Sequence, residues 1–124
     1  MNLVDSSAWL EYFSGSKSGE KFAKVIEDTK KLIVPSIVVC EVFKKILVQS
    51  DRTTALKIVA HMKQGKFVDL DLELTLASAQ IGKDYGLPMA DSIIYATAQK
   101  YKAELWTQDS DFKGMKGVKY FAKA

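Results

Sequence analysis

Short apolar runs alternate with longer segments of helical periodicity along the sequence, and this alternation constrains the fold more than any other feature. The apolar runs predict strands over residues 2–4, 32–34, 67–70, 104–107 and 118–121. The intervening segments predict helices over residues 8–13, 19–31, 35–49, 53–64, 72–85 and 89–102. Strands separated by helices in this way predict a parallel sheet covered by helices on both faces. In such open sheets, ligands bind beyond the carboxyl ends of the strands.

The length of the chain predicts one domain, residues 1–124, with a core of its own. We expect a cytoplasmic location, because no apolar run approaches the ~18 residues of a membrane span and the first residues lack the pattern of a secretion signal. Cys40 is the only cysteine, which excludes an internal disulfide and fits a reducing compartment.

The net charge of +3 comes almost entirely from lysine, because Arg52 is the only arginine. Lysine attracts phosphate as a point charge, whereas bidentate recognition of bases favours arginine. The composition therefore permits weak binding of nucleic acid without regard to its sequence. The chain has no helix-turn-helix pattern or basic arm, so we expect no direct binding to DNA.

Four acidic residues occupy positions where a parallel sheet would bind its ligand. Asp5 and Asp109 follow predicted strands, Asp91 begins a predicted helix, and Glu41 interrupts an otherwise apolar helix. Each acid also has a purely structural explanation. Asp5 and Asp91 suit the start of a helix, Asp109 suits a turn, and Glu41 can pair with Lys45 one turn later.

Taken together, the four carboxylates predict a metal site. Carboxylates crowded at one edge of a sheet repel one another and raise the pKa of at least one of them. A hard divalent cation with oxygen ligands relieves this repulsion. Such an ion lowers the pKa of a bound water and stabilises the charge that develops when a phosphodiester is hydrolysed. The sequence therefore predicts metal-dependent phosphodiester hydrolysis.

Four segments resemble the motifs of the PIN-domain family and occur in the family's order. They are NLVDSSAWLEYF (2–13), VPSIVVCEVF (34–43), LPMADSIIYATA (87–98) and LWTQDSDF (105–112). The compact form is similar to the VapC toxins of bacterial and archaeal toxin–antitoxin pairs. The resemblance implies a three-layer α/β/α sandwich with a central, mainly parallel sheet and an endoribonuclease activity that depends on Mg²⁺ or Mn²⁺. It also implies an RNA substrate, a homodimer, and a cognate antitoxin that inserts a segment across the active site and alone contacts DNA.

The resemblance further implies roles for the four acids. Asp5 and Asp91 are implied to be direct metal ligands. Glu41 and Asp109 are implied to complete the acidic set, either through water or by orienting the nucleophile.

Four other residues are weaker candidates for the same site. Ser6 matches a recurrent hydroxyl position that contacts a water or a phosphate. Asp111 is a second acid in its turn, and family members differ in which residue of this turn is charged. Lys44 and Lys45 are candidates for holding substrate phosphates, but a solvated helix face explains them equally well.

Two other interpretations of the sequence stay open. A phosphorylatable receiver-type signalling domain shares the size, the alternation and an acidic Mg²⁺ pocket. It requires two adjacent acids after the first strand, whereas Asp5 is followed by Ser6 and Ser7. A catalytically silent PIN-like scaffold would act only through a partner, although nothing structural requires four acids to converge. Replacing Asp5 with Asn would leave the function of such a scaffold intact.

Overall fold

The computed structural model describes residues 1–123 as five strands and six α-helices. The strands are β1 (Asn2–Val4), β2 (Leu32–Pro35), β3 (Lys66–Val68), β4 (Glu104–Thr107) and β5 (Val118–Tyr120). The helices are α1 (Ser6–Phe13), α2 (Glu20–Glu27), α3 (Ser36–Gln49), α4 (Arg52–Met62), α5 (Leu72–Tyr85) and α6 (Met89–Lys100). Across these residues, every helix is too short or too polar to cross a bilayer.

All five strands run parallel in the order β3-β2-β1-β4-β5. Leu3 of the central strand pairs with Ile33 and Leu105 on either side, and all three are fully buried. The helices flank this sheet, which confirms the predicted α/β/α sandwich. The strand order also differs from the 2-1-3-4-5 order of receiver-type domains. Because β3 lies at the edge beyond β2, the receiver interpretation does not fit the fold.

Local sequence explains why several helices begin at the carboxyl rim of the sheet. The Asp5 side chain caps α1 by accepting the Ala8 N–H at 3.0 Å. Pro35 and Pro88 directly precede α3 and α6, and proline suits a helix start because its ring fixes φ. Gly86 ends α5 in the left-handed conformation, with a φ of 66°, which only glycine adopts at little cost.

Two helices differ from their predictions. The predicted helix over residues 19–31 ends at Glu27, because Asp28 leaves helical geometry and a 3₁₀ turn brings Leu32 into the sheet. The apolar sequence around Glu41 predicts that α3 is mostly buried, and the structure differs. This helix buries only Val38 and Val42 completely, and its last turns are exposed, so that Val48 is 77% exposed.

Candidate active site

Asp5 directly follows β1 and is only 2% exposed. Its Oδ2 accepts a hydrogen bond from Thr107 Oγ1 at 2.6 Å, and its Oδ1 accepts one from the Ala8 N–H at 3.0 Å. The Ser7 hydroxyl donates to the same carboxylate at 2.9 Å. Burial raises the pKa of Asp5 to about 6, even though these hydrogen bonds lower it, and the charge of Asp109 adds to the rise.

Thr107, the last residue of β4, links Asp5 to Asp109. Its Oγ1 donates to Asp5 and also accepts the Asp109 N–H at 2.9 Å. The neighbouring strands bring these groups together, since the Asp5 N–H donates to the Trp106 carbonyl at 3.2 Å. Because Thr107 is fully buried, its hydroxyl fixes how the two acids face each other. Thr107 was not predicted as a site residue from the sequence, where its only signal is its position between a strand and an acidic turn.

Asp91, Asp109 and Asp111 form a tight acidic cluster at the same rim. One carboxylate oxygen from each lies within 4.8 Å of the other two. Burial raises the pKa of Asp91 to about 8, helped by a hydrogen bond with Asp111 and by the charges of Asp109, Asp111 and Glu41. Without a cation, Asp91 therefore keeps its proton at neutral pH. The Asp111 N–H donates to Asp109 Oδ1 at 2.9 Å, which fixes the turn between them.

Glu41 approaches the cluster from the second turn of α3. Its Oε1 accepts a hydrogen bond from Ser6 Oγ at 2.8 Å. Its charge contributes to the raised pKa of Asp91, so the two carboxylates share one electrostatic environment. The structure thus gathers Asp5, Glu41, Asp91 and Asp109 at one site, with Ser6 bound to Glu41.

A groove of about 780 Å³ opens beside Glu41 and is bounded by α1, α3 and α4. Its lining combines polar groups next to the acids with an apolar floor, which includes Leu10, Phe13, Ile46 and Ile58. Of the two lysines predicted to hold phosphates, Lys45 lines this groove. Lys44 is exposed and is not among the lining residues. The geometry therefore favours Lys45 over Lys44.

The acidic cluster fits a hard divalent cation. Its three donors are carboxylate oxygens, the ligand type that Mg²⁺ prefers. Two oxygens bound to one Mg²⁺ at about 2.1 Å lie no more than about 4.2 Å apart. The three carboxylate oxygens lie within 4.8 Å of one another, which is close to this limit, so their spacing suits one shared cation. Burial raises the pKa of Asp91 most, and the neighbouring carboxylates add a repulsion that a cation would relieve.

Asp5 is not one of the three residues in this cluster, and its oxygens accept hydrogen bonds from Thr107, Ala8 and Ser7. Its role as a direct ligand stays a prediction. Asp111, which the sequence marked only as an ambiguous second acid, lies inside the cluster.

The family model that describes the PIN domain matches residues 3–118 of this chain. The chain belongs to the PIN-domain family. The match covers the four motifs except for Asn2, and it includes every acid of the site. No curated protein matches the sequence.

Solved structures share the fold of this PIN domain over nearly their whole length. A toxin–antitoxin complex from Klebsiella pneumoniae aligns with a TM-score of 0.83 at 21% identity, covering 99% of this chain and 100% of that one. The Mycobacterium tuberculosis toxin VapC20, described as cleaving the sarcin–ricin loop, aligns at 0.77 and 14% identity, covering 94% and 95%. A DNA-bound VapBC complex from Salmonella typhimurium aligns at 0.74 and 15% identity, covering 98% of each chain. At these identities the likeness establishes the fold.

Proposed function

We propose that this PIN domain is an endoribonuclease that depends on Mg²⁺ or Mn²⁺ and acts as the toxin of a toxin–antitoxin pair. The observation that supports this most is the convergence of acids from four separate segments at one rim. Asp5 follows β1, Glu41 lies in α3, Asp91 begins α6, and Asp109 follows β4. Such a cluster does not stabilise a fold, because it buries carboxylates and holds like charges close together. The raised pKa values of Asp5 and Asp91 reflect this cost.

In the proposed reaction, the acids divide into groups that hold the cation and groups that orient the reactants. Asp91, Asp109 and Asp111 would hold it, with Asp5 as a further ligand or as the group that positions Asp109 through Thr107. A bound Mg²⁺ would acidify the attacking water and stabilise the charge that develops on the phosphate.

Glu41 would orient the attacking water or accept a proton from it. Ser6 holds its Oε1, and the residue lines the groove beside the cluster. Lys45 lines the same groove and would attract the phosphate backbone of the substrate. Hydrolysis of an RNA phosphodiester is the reaction that these groups support best, and we propose that it takes place in the cytoplasm.

The proposed partners are those of toxin–antitoxin proteins with the same fold. Three of the similar structures are described as toxin–antitoxin complexes or as VapBC bound to DNA. We propose a cognate antitoxin that covers the groove beside Glu41, and contact with DNA only through that antitoxin. We also propose a homodimer through the exposed apolar side chains on α5 and at the start of α6, which are Leu72, Leu76 and Met89.

Cleavage of RNA by the purified chain tests the proposal. We expect cleavage of a structured-RNA mixture with Mg²⁺ or Mn²⁺ and none with EDTA. The Asp91→Asn variant, purified in parallel, should be at least about a hundredfold less active, because it removes one carboxylate from the acidic cluster that would hold the cation. Activity that persists in this variant would mean that the site is wrong or that a contaminant cleaves. A chain that binds Mn²⁺ without cleaving any RNA would favour the silent scaffold.

A further inference from the structure

Two aromatic rings and two lysines form a mixed stack at the β4–β5 edge of the sheet. Trp106 of β4 and Phe121 beyond β5 stack with ring centroids 5.8 Å apart and planes inclined by 19°. Lys119 Nζ lies 5.4 Å from the centre of the Trp106 ring, and Lys21 Nζ lies 5.9 Å from the centre of the Phe121 ring. We call these four residues the lysine–aromatic stack.

The rings of the lysine–aromatic stack are held firmly and are still partly exposed. Trp106 Nε1 donates to Asn2 Oδ1 at 3.1 Å, so the polar atom of the indole is already satisfied. The buried ring of Phe22 meets Phe121 edge to face at 5.6 Å. Rings fixed in this way lose little conformational freedom when a flat ligand stacks on them.

The two lysines of the stack are exposed and weakly engaged. Within residues 1–123, Lys119 has one acidic partner, Glu104, at 4.0 Å, and an exposed pair at this distance contributes little. An ammonium over an exposed ring is also a modest attraction, of about 0.5–1 kcal/mol. Both side chains can therefore swing from the rings to a nearby anion at small cost.

The stack lies next to the acidic site. Trp106 precedes Asp109 by three residues, which span at most about 11 Å of chain. The Phe121 N–H donates to the carbonyl of Thr107 at 2.9 Å, and the hydroxyl of Thr107 binds Asp5. The Trp106 indole reaches back towards Asn2 at the start of β1, so a strand of nucleic acid that leaves the acidic cluster would meet Phe121 first and Trp106 beyond it.

We infer that the lysine–aromatic stack binds single-stranded RNA that flanks the bond to be cut, with bases on Trp106 and Phe121 and phosphates on Lys21 and Lys119. This inference rests on the proposed nuclease function. Aromatic rings can accept only bases that are free of a partner strand, so the stack selects single strands, loops and ends over duplex. Lysine reads charge and not base edges, so binding is indifferent to sequence.

Tryptophan fluorescence tests the inference directly, because the chain has two tryptophans and Trp9 is only 1% exposed. The probe is a ten-nucleotide oligoadenylate, added to the Asp91→Asn variant in EDTA so that binding is measured without cleavage. We expect oligoadenylate to quench the fluorescence of Trp106. A duplex RNA of equal length should bind at least about fivefold more weakly, which corresponds to the loss of one stacked base at the low end of its usual contribution. Trp106→Phe should abolish the quench while a labelled oligonucleotide still reports binding.

A matched pair of double variants isolates the two lysines. Lys21→Gln with Lys119→Gln should lower the slope of log K against log salt by about 1.4, since each phosphate contact on a single strand contributes about 0.7. Lys30→Gln with Lys63→Gln removes the same charge from exposed positions and should leave the slope unchanged.

Three results would overturn the inference: no quench, equal affinity for duplex, or equal slopes in the two double variants. Binding that follows the prediction in a chain that cleaves no RNA would support the stack and contradict the nuclease. Cleavage with an unchanged KM in the Lys21→Gln, Lys119→Gln variant would support the nuclease and contradict the role of the stack.

Discussion

The buried carboxyl group of Asp5 is stabilised by hydrogen bonds from three donors to its two oxygens. The shortest of these hydrogen bonds comes from Thr107, which also receives the Asp109 N–H. One hydroxyl therefore sets the position of two acids. At the scale of single residues, the site depends on this uncharged group as much as on the charges around it.

Removing that hydroxyl should destabilise the fold through Asp5. We expect Thr107→Val, which keeps the shape of the side chain, to lower the free energy of unfolding at pH 7 by about 1–3 kcal/mol, because a buried carboxylate loses a donor. Urea unfolding measures the change. The loss should shrink at pH 4, where Asp5, whose pKa is about 6, is protonated in the folded chain. Thr107→Ser retains the hydroxyl and serves as the control. A Val variant as stable as the wild type at pH 7 would contradict this role.

The raised pKa values of Asp5 and Asp91 predict how stability depends on pH in EDTA. Both acids titrate near 3.8 when unfolded and at about 6 and about 8 when folded. Between pH 4 and 8 the folded state therefore binds more protons, so the free energy of unfolding falls as the pH rises. For the buried Asp5 alone, the difference between 3.8 and about 6 corresponds to about 3 kcal/mol.

Thermal melts from pH 4 to 8 check this prediction, and the Asp91→Asn variant should show a smaller decline. Acids with lowered pKa values, such as Asp51 and Asp71, stabilise the fold above pH 4 and lose this contribution only below it, so they do not mask the trend. A melting temperature that rises between pH 5 and 8 would show that the acids are not buried together as described.

At the scale of elements, the strand ends explain why much of the site could be predicted from sequence. Asp5 directly follows an apolar run, Asp109 lies two residues after another, and Asp91 follows a proline that opens a helix. The position of these acids at the carboxyl rim could therefore be predicted from local sequence. The contact between Asp91 and Asp111 could not, because it depends on how α6 packs over the turn after β4. Thr107 was missed for a similar reason, since its bond to Asp5 exists only because β4 lies beside β1.

The exposed apolar side chains of α5 also lead to a prediction. Leu72 is 74% exposed and Leu76 is 63% exposed, which is costly for a monomer in water. We expect Leu76→Glu to convert the proposed homodimer into a monomer, as measured by light scattering after size exclusion. Leu56→Glu on α4, where the native side chain is 47% exposed, is the matched control and should stay dimeric. A wild-type chain that is monomeric at all concentrations tested would rule out the homodimer.

At the scale of the whole molecule, the fold concentrates negative charge at one rim while the chain as a whole is positive, at +3. The acids of the site come from segments far apart in sequence, and the parallel sheet brings them together. The proposed function depends on one central claim, namely that these acids act together as a single site for a divalent cation.

Isothermal titration calorimetry with Mn²⁺ tests that claim most directly. The wild type should bind Mn²⁺ and release protons at pH 7, because Asp91 is protonated before the ion enters. Asp5→Asn, Asp91→Asn and Asp109→Asn should each weaken binding by at least about tenfold, even though these residues lie in separate segments. Asp84→Asn on the exposed end of α5 should bind as the wild type does. Unchanged affinity in Asp91→Asn and Asp109→Asn would contradict the claim.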